Sequence, residues 1–120
     1  LVSVNNSSWT SSVQDDTLVV ALGGDIDCSN ADELHARVRT ELTEVPAGQV
    51  VLDLADVTFI DSTGVRLLLK AKDEAERHGT TFVLRGLRPQ AQRLLEVTGL
   101  TEHFGTGDQA LGGPWPRSVP

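Results

Sequence analysis

The sequence predicts an α/β fold built on a mainly parallel sheet, and three observations carry that prediction. Short apolar runs of strand length alternate with apolar stripes at helical spacing, in the order β-α-β-α-β-α from residue 17 onward. The central run, Val50, Val51, Leu52 and Leu54, holds one carboxylate, Asp53, as a strand covered on both faces or nearly so would. Clusters of Gly, Pro, Asn and Asp separate these segments and mark where each element ends. Alternation of this kind requires crossover connections, which are right-handed between parallel strands. A chain of 120 residues makes one domain with a modest core.

Residues 1–16 are polar and rich in Ser and Asn, and read as an arm or an edge strand near residues 8–13 that pairs antiparallel, with Trp9 the one large apolar group able to dock it. Residues 17–22 (TLVVAL) form the first clear strand, punctuated by Gly23-Gly24, with Asp25-Ile26-Asp27 continuing the extended chain into a turn. Ser29 or Asn30 caps the next helix, whose buried stripe is Ala31, Leu34, Val38, Leu42 and Val45. Asp32 and Glu33 fall in its first turn, where the helix dipole favours acids. Pro46-Ala47-Gly48 ends it.

The central strand then leads into a polar corner, Asp61-Ser62-Thr63-Gly64, and a second helix with the stripe Gly64, Leu68, Ala71 and Ala75. His78-Gly79 closes this helix. Residues 80–84 (TTFVL) make another strand, and Pro89 opens a short third helix with Ala91, Leu94 and Leu95 inward and Gly99 as its stop. Residues 100–104 suggest a last edge strand. The domain therefore spans residues 17–104, and residues 105–120 form a Gly/Pro-rich tail outside the fold.

Composition narrows the function. The net charge of −7 opposes binding to phosphate backbones and anionic lipid surfaces, so neither direct nucleic-acid nor membrane contact is expected. No apolar run approaches membrane-spanning length and no charged-then-apolar stretch suggests a leader, although a chain that begins at Leu1 and contains no Met is expected to have its true start missing or processed, which leaves a removed leader open. A single cysteine, Cys28, forms no intrachain disulfide and fits the cytoplasm; it reads as a packing residue. Enzyme signatures are missing. There is no P-loop, no spaced-glycine dinucleotide fingerprint and no Gly-x-Ser-x-Gly elbow, and His35, His78 and His103 lack metal-ligand spacing and read as surface groups. Asp53 reads as a hydrogen-bond acceptor for backbone donors at the strand end. Arg85, Arg88 and Arg93 form a small basic cluster, solvated or in contact with an acidic partner.

The corner holds the chemistry. Asp61, Ser62 and Thr63 are all good N-cap residues, and any of them could start the helix. A hydroxyl there lies among unpaired backbone N–H groups at the positive end of the dipole, a place that either serves capping alone or tolerates an added phosphate. Gly64 removes a side chain from the first turn, leaving room for a partner or a kinase.

The run VLDLADVTFIDSTG over residues 51–64 resembles the signature of the STAS domain, the fold of bacterial anti-sigma factor antagonists. Gly24-Asp25-Ile26-Asp27 resembles that family's Gly-x-[Ile/Leu]-Asp turn, and Gly86-Leu87-Arg88-Pro89 through Thr98-Gly99-Leu100 and Phe104 is similar to its C-terminal helix and last strand. The resemblance implies a mixed, mainly parallel four- to five-stranded sheet with helices largely on one side. It also implies a regulatory binding module rather than an enzyme, with no cofactor. In such a module Ser62 is the phosphorylation site and Thr63 the second choice. Asp27, Asp61, Ser62, Thr63 and Gly64 form the partner surface. The implied partners are an anti-sigma factor with serine kinase activity and a PP2C-type phosphatase, and a homodimer is compatible with the pattern. The alternative is an unphosphorylated STAS scaffold, or a subunit of a transport or stress-sensing complex.

Overall fold

The computed structural model describes residues 2–100 and Phe104. Five strands and three helices follow in the order β1 (Val2–Val4), β2 (Ser7–Gln14), β3 (Thr17–Ile26), α1 (Ala31–Glu44), β4 (Gln49–Ile60), α2 (Ser62–Arg77), β5 (Thr81–Arg85) and α3 (Pro89–Thr98). The sheet runs β1-β2-β3-β4-β5. Strands β3, β4 and β5 are parallel, and β1 and β2 extend the sheet antiparallel from β3. The architecture is the mixed sheet expected, but with two antiparallel pairings beside two parallel ones, because the N-terminal extension is longer than an arm or a single edge strand. Its two tight turns explain that extension. Asn5 and Asn6 both adopt positive φ, as a two-residue hairpin loop between twisted strands requires, and Asp15 does the same between β2 and β3.

Alternation along the strands builds one core. Leu18, Val20 and Leu22 of β3, Val50, Leu52 and Leu54 of β4 and Leu84 of β5 belong to a single buried cluster. The expected helix stripes join them: Ala31, Leu34, Val38 and Leu42 from α1, and Leu68, Ala71 and Ala75 from α2. Ala91 and Leu95 of α3 and Phe104 complete it. Val51 is also fully buried, but on the opposite face of β4, in register between Val19 and Val83. Trp9 docks β2 as expected, at 4% exposure, which is worth on the order of 3 kcal/mol.

Asp53 settles into the structural role read from sequence. One oxygen accepts from the Ala55 amide at 3.0 Å and the other pairs with Arg85 at 2.9 Å, so Arg85 is not merely solvated. Arg88 donates to the Ala55 carbonyl at 2.7 Å. Two expectations are corrected. Cys28 is exposed in the loop before α1 and packs against nothing in the core. His35 is not a free surface group but half-buried, on the α1 face turned towards α2. The expected strand over 100–104 falls largely outside the described residues, as do His103 and the tail. No helix among the described residues is long and apolar enough to cross a membrane.

Candidate functional site

The site grows out of the carboxyl ends of β3 and β4. Strand β4 continues past the core, through Phe59 and Ile60, and stops at Asp61. Asp61 is the N-cap of α2: its backbone is extended and its Oδ1 accepts from the Gly64 amide at 3.0 Å. Of the three candidate caps the aspartate takes the role, since its carboxylate is both the stronger acceptor and the better complement to the dipole. Ser62 is thereby released from capping. It stands exposed at the first helical position, while Thr63 is half-buried beside it.

Asp27 reaches the same corner through the backbone. The Asp61 amide donates to the Ile26 carbonyl at 3.3 Å, which sets the β3–α1 loop beside the start of α2. Asp27 then folds over Ser29: its Oδ1 accepts from the Ser29 hydroxyl at 2.6 Å and from the Ser29 amide at 2.9 Å. The side-chain bond first, and the backbone bond second, hold its carboxyl below the usual range, so Asp27 is a carboxylate at neutral pH. Thr58 Oγ1 donates to Asp25 Oδ1 at 3.0 Å and ties the ends of the two strands together.

Gly64 lies on the buried stripe of α2 as read from sequence, and does not leave the surface room read for a partner. It is buried and faces the interior, not an open surface. A Cβ there would lie 2.4 Å from Ile60 Cγ1 and 3.0 Å from the Ile26 carbonyl oxygen. Its missing side chain lets α2 begin close against the ends of β3 and β4, and so fixes where Ser62 stands.

The family model of the STAS domain matches residues 8–111. The chain belongs to the STAS domain family. Among its relatives, the anti-sigma-B factor antagonist of Listeria monocytogenes is 31% identical over 88 residues, covering 72% of this chain and 75% of the relative. An anti-sigma factor antagonist from Mycobacterium paratuberculosis, solved by crystallography, superposes with a TM-score of 0.73 at 26% identity over 87% of this chain and 90% of that one. The Bacillus cell fate determinant SpoIIAA, in its phosphorylated form, superposes with a TM-score of 0.63 at 22% identity over 79% of this chain and 86% of that one.

Sequence reasoning missed how much of this STAS domain's corner is held by side-chain amides. Asn30 was expected only as a cap, and it makes no side-chain cap bond. Instead its amide, buried to 1% exposure, accepts from the Asp27 amide at 3.1 Å and donates to the carbonyls of Asn5 and Asp25, each at 2.8 Å. With the Asp25 amide donating to Asn6, these bonds clamp the β1–β2 turn onto the β3–α1 loop. Gln90 of α3 grips Ile60 in the same way, accepting from its amide at 3.1 Å and donating to its carbonyl at 2.9 Å. Asn5-Asn6 is a turn signal that could have revealed the hairpin; nothing in the sequence marks Gln90.

Asn30→Ala removes three bonds from a buried position at once. The expected cost is about 1–3 kcal/mol, because the stranded donors and acceptors are not replaced. Urea unfolding should show the lowered midpoint, and hydrogen exchange should speed up around Asn6 and Asp27 while α2 keeps its protection.

Proposed function

We propose that this STAS domain is an anti-sigma factor antagonist that works by partner switching. Unphosphorylated, it binds an anti-sigma factor with serine kinase activity through Asp27, Asp61, Ser62, Thr63 and the turn that Gly64 permits. The kinase transfers phosphate from ATP to Ser62, the complex separates, and a PP2C-type phosphatase restores the hydroxyl. The domain acts in the cytoplasm as a binding module and performs no chemistry of its own.

One observation carries this reading. Ser62 presents an exposed hydroxyl at the first turn of α2, with the capping duty taken by Asp61. A kinase can reach it without unfolding anything, and a phosphate added there is tolerated by the positive end of the helix. The names of the relatives support the class of partner, and a neighbour of the same fold, SpoIIAA, is described in a phosphorylated form.

The test is intact mass of the protein taken from its native cell, with peptide mapping across residues 57–66. One phosphate on Ser62, removed by phosphatase and absent from Ser62→Ala, is the expected result. A chain that stays unmodified under all growth conditions and beside candidate kinases would favour a constitutive STAS scaffold.

A further inference from the structure

Beside Ser62, on the other side of the α2 start, helices α1 and α2 enclose a small cleft of about 60 Å³ lined by Ala31, Asp32, His35, Thr63, Arg66, Leu67 and Lys70. Its charge runs against that of the chain. The protein as a whole carries −7, yet this cleft brings together Arg66, Lys70 and a histidine against the one carboxylate of Asp32. Arg37, Lys72, Arg77 and Arg85 each lie within ion-pair distance of a carboxylate. Arg66 and Lys70 have neither an ion pair nor a hydrogen bond among the described residues.

The groups around His35 report the same imbalance. Burial, then Arg39 on its own helix and Lys70 across the cleft, push its pKa down, against the weaker opposite pull of Glu74 on α2 and Asp32 on α1. Thr63 forms part of the cleft wall, with Arg66 one turn and Lys70 two turns further along the same face of α2. Ser62 is exposed and does not line it.

We propose that this cleft is a phosphate-holding site for Thr63, making Thr63 a second phosphorylation acceptor whose product differs from that of Ser62. A serine/threonine kinase using ATP would form the bond from Thr63 Oγ1 to the γ-phosphorus and break the β–γ bridging P–O bond. ADP leaves, and the hydroxyl proton passes to the kinase. The phosphate on Thr63 is then met in cis by Arg66 and Lys70, with His35 protonating opposite it, so that its charge is partly neutralised and α1 is linked to α2. A phosphate on Ser62 lies outside the cleft: Arg66, four residues on, is its one helical neighbour among these three groups, and it lacks Lys70 and His35. The inference needs a kinase but no docked anti-sigma factor, and is independent of the switching reading above.

The test uses the full chain carrying either phosphothreonine at 63 or phosphoserine at 62, each compared with its own Arg66→Ala/Lys70→Ala version by phosphorus and histidine-side-chain NMR. In the Thr63 form, the double substitution is expected to raise the phosphate's second pKa by about 0.5–1. It should shift the Ser62 form by clearly less, since of the two removed cations only Arg66 is its helical neighbour. The His35 pKa should rise on phosphorylation of Thr63 and not of Ser62. An equal effect on both phosphates, or none on Thr63, would overturn the proposal. Both cations are exposed, so the double variant keeps the fold against which the comparison is made.

Discussion

Phosphorylation of Ser62 is expected to weaken binding to the cognate anti-sigma factor by more than a hundredfold without loosening the fold. The modification adds roughly −1.5 to −2 charges to a surface that already carries Asp61 and Asp27. A docked partner leaves that phosphate no solvent and no donor prepared for it, and misplaced like charge at an interface costs on the order of several kcal/mol. About 3 kcal/mol is already more than a hundredfold in affinity. The same phosphate does no harm to the free domain, because it stands at the exposed N-terminus of a 16-residue helix. Calorimetric titration of the two forms against the anti-sigma factor should show the loss, with unfolding temperatures nearly equal. Ser62→Asp should reproduce part of it, and Ser62→Ala should bind as the unmodified protein does. Equal affinity for the phosphorylated and unphosphorylated forms would remove the electrostatic switch.

Gly64→Ala is expected to destabilise the domain, which is the reverse of what helix propensity predicts. In an open helix Ala is better than Gly by about 1 kcal/mol. Here the added methyl would meet Ile60 Cγ1 at 2.4 Å and the Ile26 carbonyl oxygen at 3.0 Å. Neither neighbour can retreat easily: Ile60 is 1% exposed and Ile26 fully buried, and the Ile26 carbonyl already accepts from Asp61. Overpacking of this kind costs about 1–3 kcal/mol, enough to outweigh the propensity gain. Unfolding should fall by roughly 4–8 °C for each kcal/mol in a domain of this size. The start of α2 should also shift outward, moving Ser62 and weakening partner binding as a secondary effect. An unfolding temperature at or above that of the native chain would show slack in the first turn and return Gly64 to the partner-surface role read from sequence.

The helices were legible because their signals are local. The stripes over α1 and α2 identify the residues that are buried, since a 3.6-residue period and the continuous apolar run of β4 leave different marks in the chain. The corner was legible for a related reason: capping chemistry sits within four residues, and the choice among Asp61, Ser62 and Thr63 was the only part left open. The N-terminal hairpin was harder, because β1 has three residues and its turn is clamped by Asp25, Ser29 and Asn30, which are distant in sequence. Asn30 shows the same limit. Its residue type announced a cap, yet its amide serves Asn5, 25 residues away. Gly64 reads as an opening in sequence and is a close contact in space, since only the fold brings Ile26 and Ile60 to it.

By itself the sequence determined the alternating α/β order, the single core and a short polar turn carrying two adjacent hydroxyls, because these follow from periodicity and capping over a few neighbouring residues. Tertiary structure alone decided which hydroxyl faces outward and which faces the cationic cleft. Ser62 and Thr63 are adjacent and chemically alike, and they become different only when α1 packs His35 and Asp32, distant in sequence, beside Thr63 and leaves Ser62 to solvent.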